Sequence, residues 1–356
     1  MADAQAVTDA LAERVELAIG GKLYAGWTDV TIERRLDAMS GQFTLTLASK
    51  EKADATEFPV HEGDRCEVRI AGEVVINGWV DAVSVSIDSN DHSVTVAGRD
   101  RSGDLADCSA MNKPGSWTNA MLEAIAADLA SPFGISVTAR VSTGAAIRKF
   151  ALQQGESVQA AIDRLLRFRG LIAVPTATGD IEITTPQDSA PVAVLALGKN
   201  IASIEVSHDS RERFSDYLIK GQAAGSDDAS GKTVSAMSGD AQDKGVARYR
   251  PLLIVAEEQG TAQSLKTRAA FEAGVRAGRG VTAEVTLLGW RVVPKGALWR
   301  PNVQVRVQCG PAQLPDDIML VSAITLKKGE DGTFAVLTAN PPGAWAQLAE
   351  PEDKAA

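Results

Sequence analysis

Between Leu23 and Val96 apolar and polar side chains alternate with a period of two. Val30 and Ile32 flank Thr31, and Phe43, Leu45 and Leu47 enclose Thr44 and Thr46. Cys66, Val68 and Ile70 continue the alternation, followed by Val74 and Ile76, by Val83, Val85 and Ile87, and by Val94 and Val96. Successive side chains of an extended chain point to opposite faces, so each run predicts a strand with one buried face. The turn-forming stretches SGQ at 40–42, EGD at 62–64, AGE at 71–73 and DSND at 88–91 separate them. Short antiparallel strands in such close succession predict a small β-barrel over residues 1–109, a shape that leaves few open sheet edges.

The period changes after Ser109. Leu122, Ile125, Ala126 and Leu129 share one helical face in a segment that stops at Pro132 and Gly134, and Val158, Ile162, Leu165 and Arg169 repeat the spacing in a segment that ends at Gly170. Strand-like sequence follows each helix, the second time as a hairpin around Gly179 and Asp180, so residues 110–187 read as a small α+β domain. From Ile201 a strand leads into a charged turn and a second strand at 217–220, echoing residues 23–47, where the charged turn is placed at Glu33–Arg35. The echo predicts a second barrel, built from 188–222 and 282–345. Between its halves, 223–245 is rich in Gly, Ser, Ala and Asp and reads as a mobile loop. A helix over roughly 261–277 completes a loop-plus-helix insertion at 223–281. Residues 346–356 read as a flexible C-terminal tail. The fold class is therefore mainly β with α+β insertions.

Composition narrows the function. The 356 residues carry 36 Lys and Arg against 46 Asp and Glu, a net charge of −10, which argues against a groove that grips nucleic acid through phosphates. The longest apolar runs, 192–197 and 252–256, are far too short for a membrane-spanning helix, so no membrane insertion is expected. The first residues are acidic where an export leader would be basic. Cys66, Cys108 and Cys309 are scattered and odd in number, which fits synthesis in a reducing cytoplasm and forms no metal cluster.

Candidate chemistry is sparse. The segment VTVAGRDRSGDLADCS, 94–109, gathers Asp100, Asp104 and Asp107. A calcium loop counted from Asp100 would need Gly at its sixth position and Glu at its twelfth, and the chain has Leu105 and Met111 there. With Arg99 and Arg101 interleaved, the stretch reads as ion-paired chain leaving the barrel. GSDDASGKT, 225–233, has one residue too many between its glycines for a phosphate loop. His61, His92 and His208 have no partners at metal-ligand spacing. No catalytic residue, metal or cofactor is expected. The tryptophans are core or interface: Trp290 and Trp299, together with the basic run Arg248, Tyr249, Arg250, are the candidates for an inter-subunit or partner interface.

Six stretches carry a resemblance in their order: 20–47, 62–83, 94–109, 213–222, 248–257 and 296–307. Together they resemble the baseplate hub proteins of Mu-like contractile-tailed phages, related in fold to the hubs of T4-like phages. The resemblance implies a homotrimer with two tube-like barrels per chain, joining a six-fold tail tube to a three-fold central spike and lining the DNA channel. It implies as partners the tail tube protein or a distal tube adaptor, the central spike and baseplate wedge proteins, with DNA passing unbound, in a virion tail made in the host bacterial cytoplasm. Two other classes remain open on the residues alone: a cell-wall glycan-binding module at 110–187, or a peptidoglycan hydrolase with paired carboxylates that meet only in the fold.

Overall fold

A computed structural model of the chain describes residues 13–49, 59–88, 92–187, 189–222, 237–259 and 261–349. The alternating runs form β1 (Val15–Ile19), β2 (Lys22–Tyr24), β3 (Asp29–Arg35), β4 (Gln42–Ser49), β5 (Arg65–Ile70), β6 (Glu73–Ile87) and β7 (His92–Asp100). They lie in the order β3-β4-β7-β6-β5-β1-β2, every pair antiparallel. Most predicted faces hold: Val30, Ile32, Phe43, Leu45, Val68, Ile70, Val94 and Val96 are all buried, whereas in the last third of β6 Val85 and Ile87, expected on a buried face, are 52% and 69% exposed because no strand pairs with that stretch on its second side among the described residues. The charged turn expected at Glu33–Arg35 is instead the end of β3. Pairing across the molecule, described below, keeps those residues extended.

The chain then enters the α+β domain through α1 (Gly103–Asp107). There follow β8 (Ser116–Ala120), α2 (Leu122–Ala130), β9 (Val137–Ala139), β10 (Ile147–Ala151), α3 (Val158–Arg167), β11 (Ile172–Pro175) and β12 (Ile181–Thr184). Helix α2 buries Leu122, Ile125, Ala126 and Leu129 as its spacing requires. The Ser157 hydroxyl caps α3 by accepting from the Ala160 N–H at 3.2 Å, and Val158, Ile162 and Leu165 are buried beneath it. Both helices cover one core with Phe150, Ile181 and Ile183, a core that also takes in Leu105 and Met39.

Next come β13 (Ala193–Ala196) and β14 (Ile201–His208), then β15 (Asp216–Gln222), β16 (Met237–Gln242), β17 (Pro251–Gln259), α4 (Ala262–Arg279) and β18 (Val281–Leu288). The chain closes with β19 (Val303–Cys309), β20 (Leu314–Gly329) and β21 (Gly332–Asn340). Two boundaries differ from the sequence reading. Strand β15, expected in the second barrel, pairs with β16 and β17 in a separate three-stranded sheet, and 237–242, expected as mobile loop, is β16. Neither segment shows strong alternation; Tyr217 and Ile219 bury against Leu265, Ala269 and Ala273 of α4, so the helix defines the sheet. A Cβ on Gly239 would lie 2.1 Å from the Lys266 nitrogen, which is how closely α4 sits on β16. The phosphate-loop lookalike at 225–233 lies outside the described residues. The start of the predicted tail is docked: Gln347 and Ala349 backbone atoms lie against Gly170.

The second half of the large sheet repeats five strands of the first. β14, β18, β21, β20 and β19 stand in the order taken by β3, β4, β7, β6 and β5. The row Val30, Leu45, Val96, Val83 in the first has as its counterpart Ile204, Val285, Leu337, Ile324 in the second. Even the β-bulges coincide, between Val80 and Ala82 and between Val321 and Ala323. The two repeats are joined by main-chain pairing: Ala323–Lys328 of β20 run antiparallel to Val30–Arg35 of β3. One sheet thus spans both, over one shared core that includes Val30, Ile32, Ile324 and Leu326.

A buried carboxylate fastens the first repeat to the α+β domain. Asp100, 2% exposed, accepts from the Gly41 N–H at 2.6 Å, the Ser40 hydroxyl at 3.1 Å and the Ser102 N–H at 3.2 Å. The Ser102 hydroxyl contacts both Asp100 and the Met39 carbonyl. Burial pushes the Asp100 carboxyl above the usual carboxylate range. Beside it Arg101 bonds the α+β domain at the Asp180 carboxylate (2.6 Å), the Gly134 carbonyl (2.8 Å) and the Thr178 carbonyl (3.1 Å).

Asp100→Ala should cost roughly 2–4 kcal/mol in urea unfolding, because the Gly41 and Ser102 donors lose their acceptor, and Asp100→Asn should cost less. Asp100 holds its proton more tightly folded than unfolded, so its contribution is complete below the ordinary carboxylate pKa and declines as pH rises through the folded value. The wild-type minus Asp100→Asn stability difference should therefore shift against wild type as pH rises above the ordinary carboxylate range; a flat difference refutes the assignment. Gly239→Ala should lower the melting temperature by lifting α4, while Gly274→Ala, with open space around the new Cβ, should raise stability by up to about 1 kcal/mol.

Candidate functional site

The acidic stretch that suggested chemistry is structural. Arg99 bridges Asp81 and Asp107, both at 2.8 Å, and holds the Asp107 carboxyl below its usual range. Among the described residues no group of three His, Cys, Asp or Glu is placed to hold a metal ion. Cys66 and Cys309 are buried in the shared core and Cys108 is exposed; burial pushes the Cys66 thiol up to about 12. The histidines are apart: the His61 N–H donates to Asp64, His92 pairs with Ser49 at the start of β7, and a His208 ring nitrogen lies 3.1 Å from the Ala312 carbonyl. No helix among the described residues is long and apolar enough to cross a membrane.

What the fold builds is extended surface. Because the sheet is continuous, side chains that face away from the core align across both repeats. One row runs through Ser203, Thr286, Val336, Thr325, Glu33, Gln42 and Arg99. The next runs through Lys327, Thr31, Thr44, Ala97 and Ala82. Hydroxyls and small residues are interspersed with charges and with larger apolar groups, Trp79 next to Arg99 in the first row and Phe334 and Leu288 beyond Lys327 in the second; Glu33 accepts from Gln42 at 2.7 Å and lies 3.3 Å from Arg35, which also binds Asp37 at 2.7 Å. Sequence alternation gives each strand's outward residues; their alignment depends on the registers.

The predicted interface residues separate into two groups. Trp290 and Trp299, offered as partner anchors, are 1% and 3% exposed and belong to the core of the second repeat. The Trp290 indole donates to the Lys327 and Phe334 carbonyls at 3.1 and 3.0 Å, so its polar edge is satisfied inside the chain. Arg248 and Tyr249 do lie on the surface, Tyr249 at 83% exposure. Arg250 is tied down: its guanidinium sits 5.2 Å over the Phe214 ring and donates to the Arg211 carbonyl at 2.7 Å. They lead into β17, whose only ladder partner among the described residues is β15 and whose outer side exposes Leu253 and Val255. A cavity of about 230 Å³ between the first barrel, α3 and Trp345 includes Asp37, Asp163 and Arg167 in its lining. Burial raises the Asp163 carboxyl.

Comparison with known proteins follows the same divisions. Residues 14–100 match the family described as Mu phage baseplate assembly protein GpP-like, N-terminal, and 102–185 match the second domain of the baseplate hub protein gp44-like family. Residues 213–270 match the third domain of tail protein NMB1110-like, and 261–348 the fourth domain of Mu phage baseplate assembly protein GpP. The baseplate hub protein gp44 of Escherichia phage Mu is 32% identical over 323 residues, 89% of this chain and 84% of its own. The crystal structure of a 43 kDa tail protein from prophage MuSo2 of Shewanella oneidensis aligns with a TM-score of 0.86 at 34% identity, over 94% of this chain and all of that one. A tail protein from Neisseria meningitidis MC58 shares the fold at 22% identity, with a TM-score of 0.78 over 96% of this chain and all of its own. With 32% identity over 89% of its length, the chain belongs to the Mu-like baseplate hub proteins, structural components of phage tails rather than enzymes.

Proposed function

We propose that three copies of this chain form the hub ring that joins a six-fold tail tube to a three-fold central spike. The observation that carries this reading is the internal repeat: each chain holds two like-built units side by side in one sheet, so three chains supply six. A ring of that kind is three-fold by chain and near six-fold by fold, which is what a symmetry adaptor requires. In this arrangement the outer face of the sheet lines the channel and lets DNA pass without specific binding. The tail tube protein or a tube adaptor meets one rim and the spike the other. The α+β domain and the module of β15–β17 and α4 remain for wedge proteins, with Arg248 and Tyr249 as contact residues. The hub is made in the bacterial cytoplasm and ends in the virion baseplate.

Light scattering after size-exclusion chromatography should give about 112 kDa, three chains of 37.4 kDa, alone or on mixing with tube and spike proteins. A 37.4 kDa species under every one of these conditions would overturn the reading. Tyr249→Ala should leave the ring mass unchanged and weaken co-sedimentation with wedge proteins; equal co-sedimentation removes that contact. The ring should not shift duplex DNA on a gel at physiological salt.

A further inference from the structure

The cavity of about 230 Å³ opens where three parts of the chain meet: the loop that follows β3, helix α3 and the segment after β21. A single water needs only about 10–15 Å³ of such space, so there is room for a long side chain. The walls are largely apolar: Leu36, Met39 and Leu166 are 6%, 3% and 1% exposed, and Trp345 joins them, its indole N–H donated to the Asn340 side-chain oxygen at 3.3 Å. Two carboxylates line the same space. Asp37 is already neutralised by the Arg35 guanidinium, at 2.7 and 2.8 Å. Asp163 is not: the Gln159 amide approaches it only to 3.5 Å, and Arg167 acts on it through its field without a hydrogen bond.

That carboxylate stands apart from others in the α+β domain. Glu156 meets Arg164 at 2.8 Å, Asp180 meets Arg101 at 2.6 Å and Glu182 meets Arg140 at 2.7 Å. Asp163 has no such partner among the described residues, and burial raises its carboxyl, as expected of a carboxylate short of positive charge. An anion would be repelled from this cavity, and a neutral apolar occupant would strip the carboxylate of its remaining water. A lysine or arginine suits both surfaces: its stem packs along apolar walls, its charged head pairs with a carboxylate, and a neighbouring aromatic ring adds to the attraction. We propose that the cavity is a socket for one lysine or arginine side chain of another baseplate protein, with the stem against Leu36, Leu166 and Trp345 and the head on Asp163. This rests on the reading that gives the α+β domain to peripheral partners, and it names the chemistry of that contact. Filling the socket also ties the α+β domain to the large sheet, since α3 supplies one wall and the segments after β3 and β21 supply the others.

The test is an NMR titration of the full-length, isotope-labelled chain with the N-acetyl methylamides of lysine and arginine, read at the Trp345 indole N–H, which Trp345→Phe identifies. Saturating shifts are expected, with the norleucine analogue, which has the lysine stem without its charge, binding about tenfold more weakly. Asp163→Asn should weaken the charged probes by about tenfold without lowering the melting temperature, because the neutral amide needs no cation. Arg167→Ala should strengthen them, since it removes the cation that acts on Asp163. Equal affinity for charged and uncharged probes, no shift with any probe, or an unaltered titration in Asp163→Asn would overturn the socket. Deletion of residues 350–356 should leave probe affinity unchanged; tighter binding after deletion would assign the cavity to the chain's own tail and overturn the proposal. Asp163→Asn should also co-sediment less with wedge proteins than wild type, and equal co-sedimentation overturns the docking role. A wild-type hub that binds the charged probes but co-sediments with no wedge protein overturns the peripheral reading and leaves the chemistry of the socket standing.

Discussion

The architecture turns on the antiparallel pairing of β3 with the second half of β20. These strands are far apart in sequence, so their pairing closes a long loop whose entropy cost must be met by the contacts it makes. The return is large: six register pairs of main chain and a shared core in which Ile32, Val30, Ile324 and Leu326 are all nearly inaccessible. Without that joint each repeat would present an open, apolar edge. With it, two barrel-like units become one rigid wall.

The other two modules are carried on this wall. The α+β domain leaves the first repeat at Asp100 and is held there by buried polar contacts and the Arg101 clamp. The module of β15–β17 and α4 occupies, between β14 and β18, the position that the short turn Leu36–Gly41 occupies between β3 and β4. The repeat framework therefore tolerates insertions at its connections while keeping strand order and bulge positions. That is the behaviour expected of a structural ring whose sheet must be regular and whose periphery can be varied to suit partners.

Much of this was legible in the chain. The alternation around Val30, Leu45, Val68 and Val96, the helical faces of α2 and α3, and the Gly179 hairpin all follow from local periodicity. The stretch with Asp100, Asp104 and Asp107 was legible only in part: Asp107 is ion-paired to Arg99, as the interleaved charges suggest, whereas the burial of Asp100 beneath Gly41 and Ser102 has no local signature. Trp290 and Trp299 are buried rather than exposed as interface anchors, because a tryptophan beside a strand has the same sequence signature whether its ring points inward or outward. The repeat was visible only as an echo at 23–47 and 200–222, since the insertion after His208 separates β14 from β18 and disguises the match.

The sequence by itself determined which residues form strands and helices, which face of each is apolar, and that the order of its segments is that of a phage hub. Those properties depend on neighbours a few positions away and on composition. Only the tertiary structure decided which strands meet, that β15 leaves the barrel for its own sheet, and that β3 finds β20. Register and partner choice are set by contacts between residues hundreds of positions apart, among several strands of near-identical alternation, and no local pattern distinguishes one apolar edge from another.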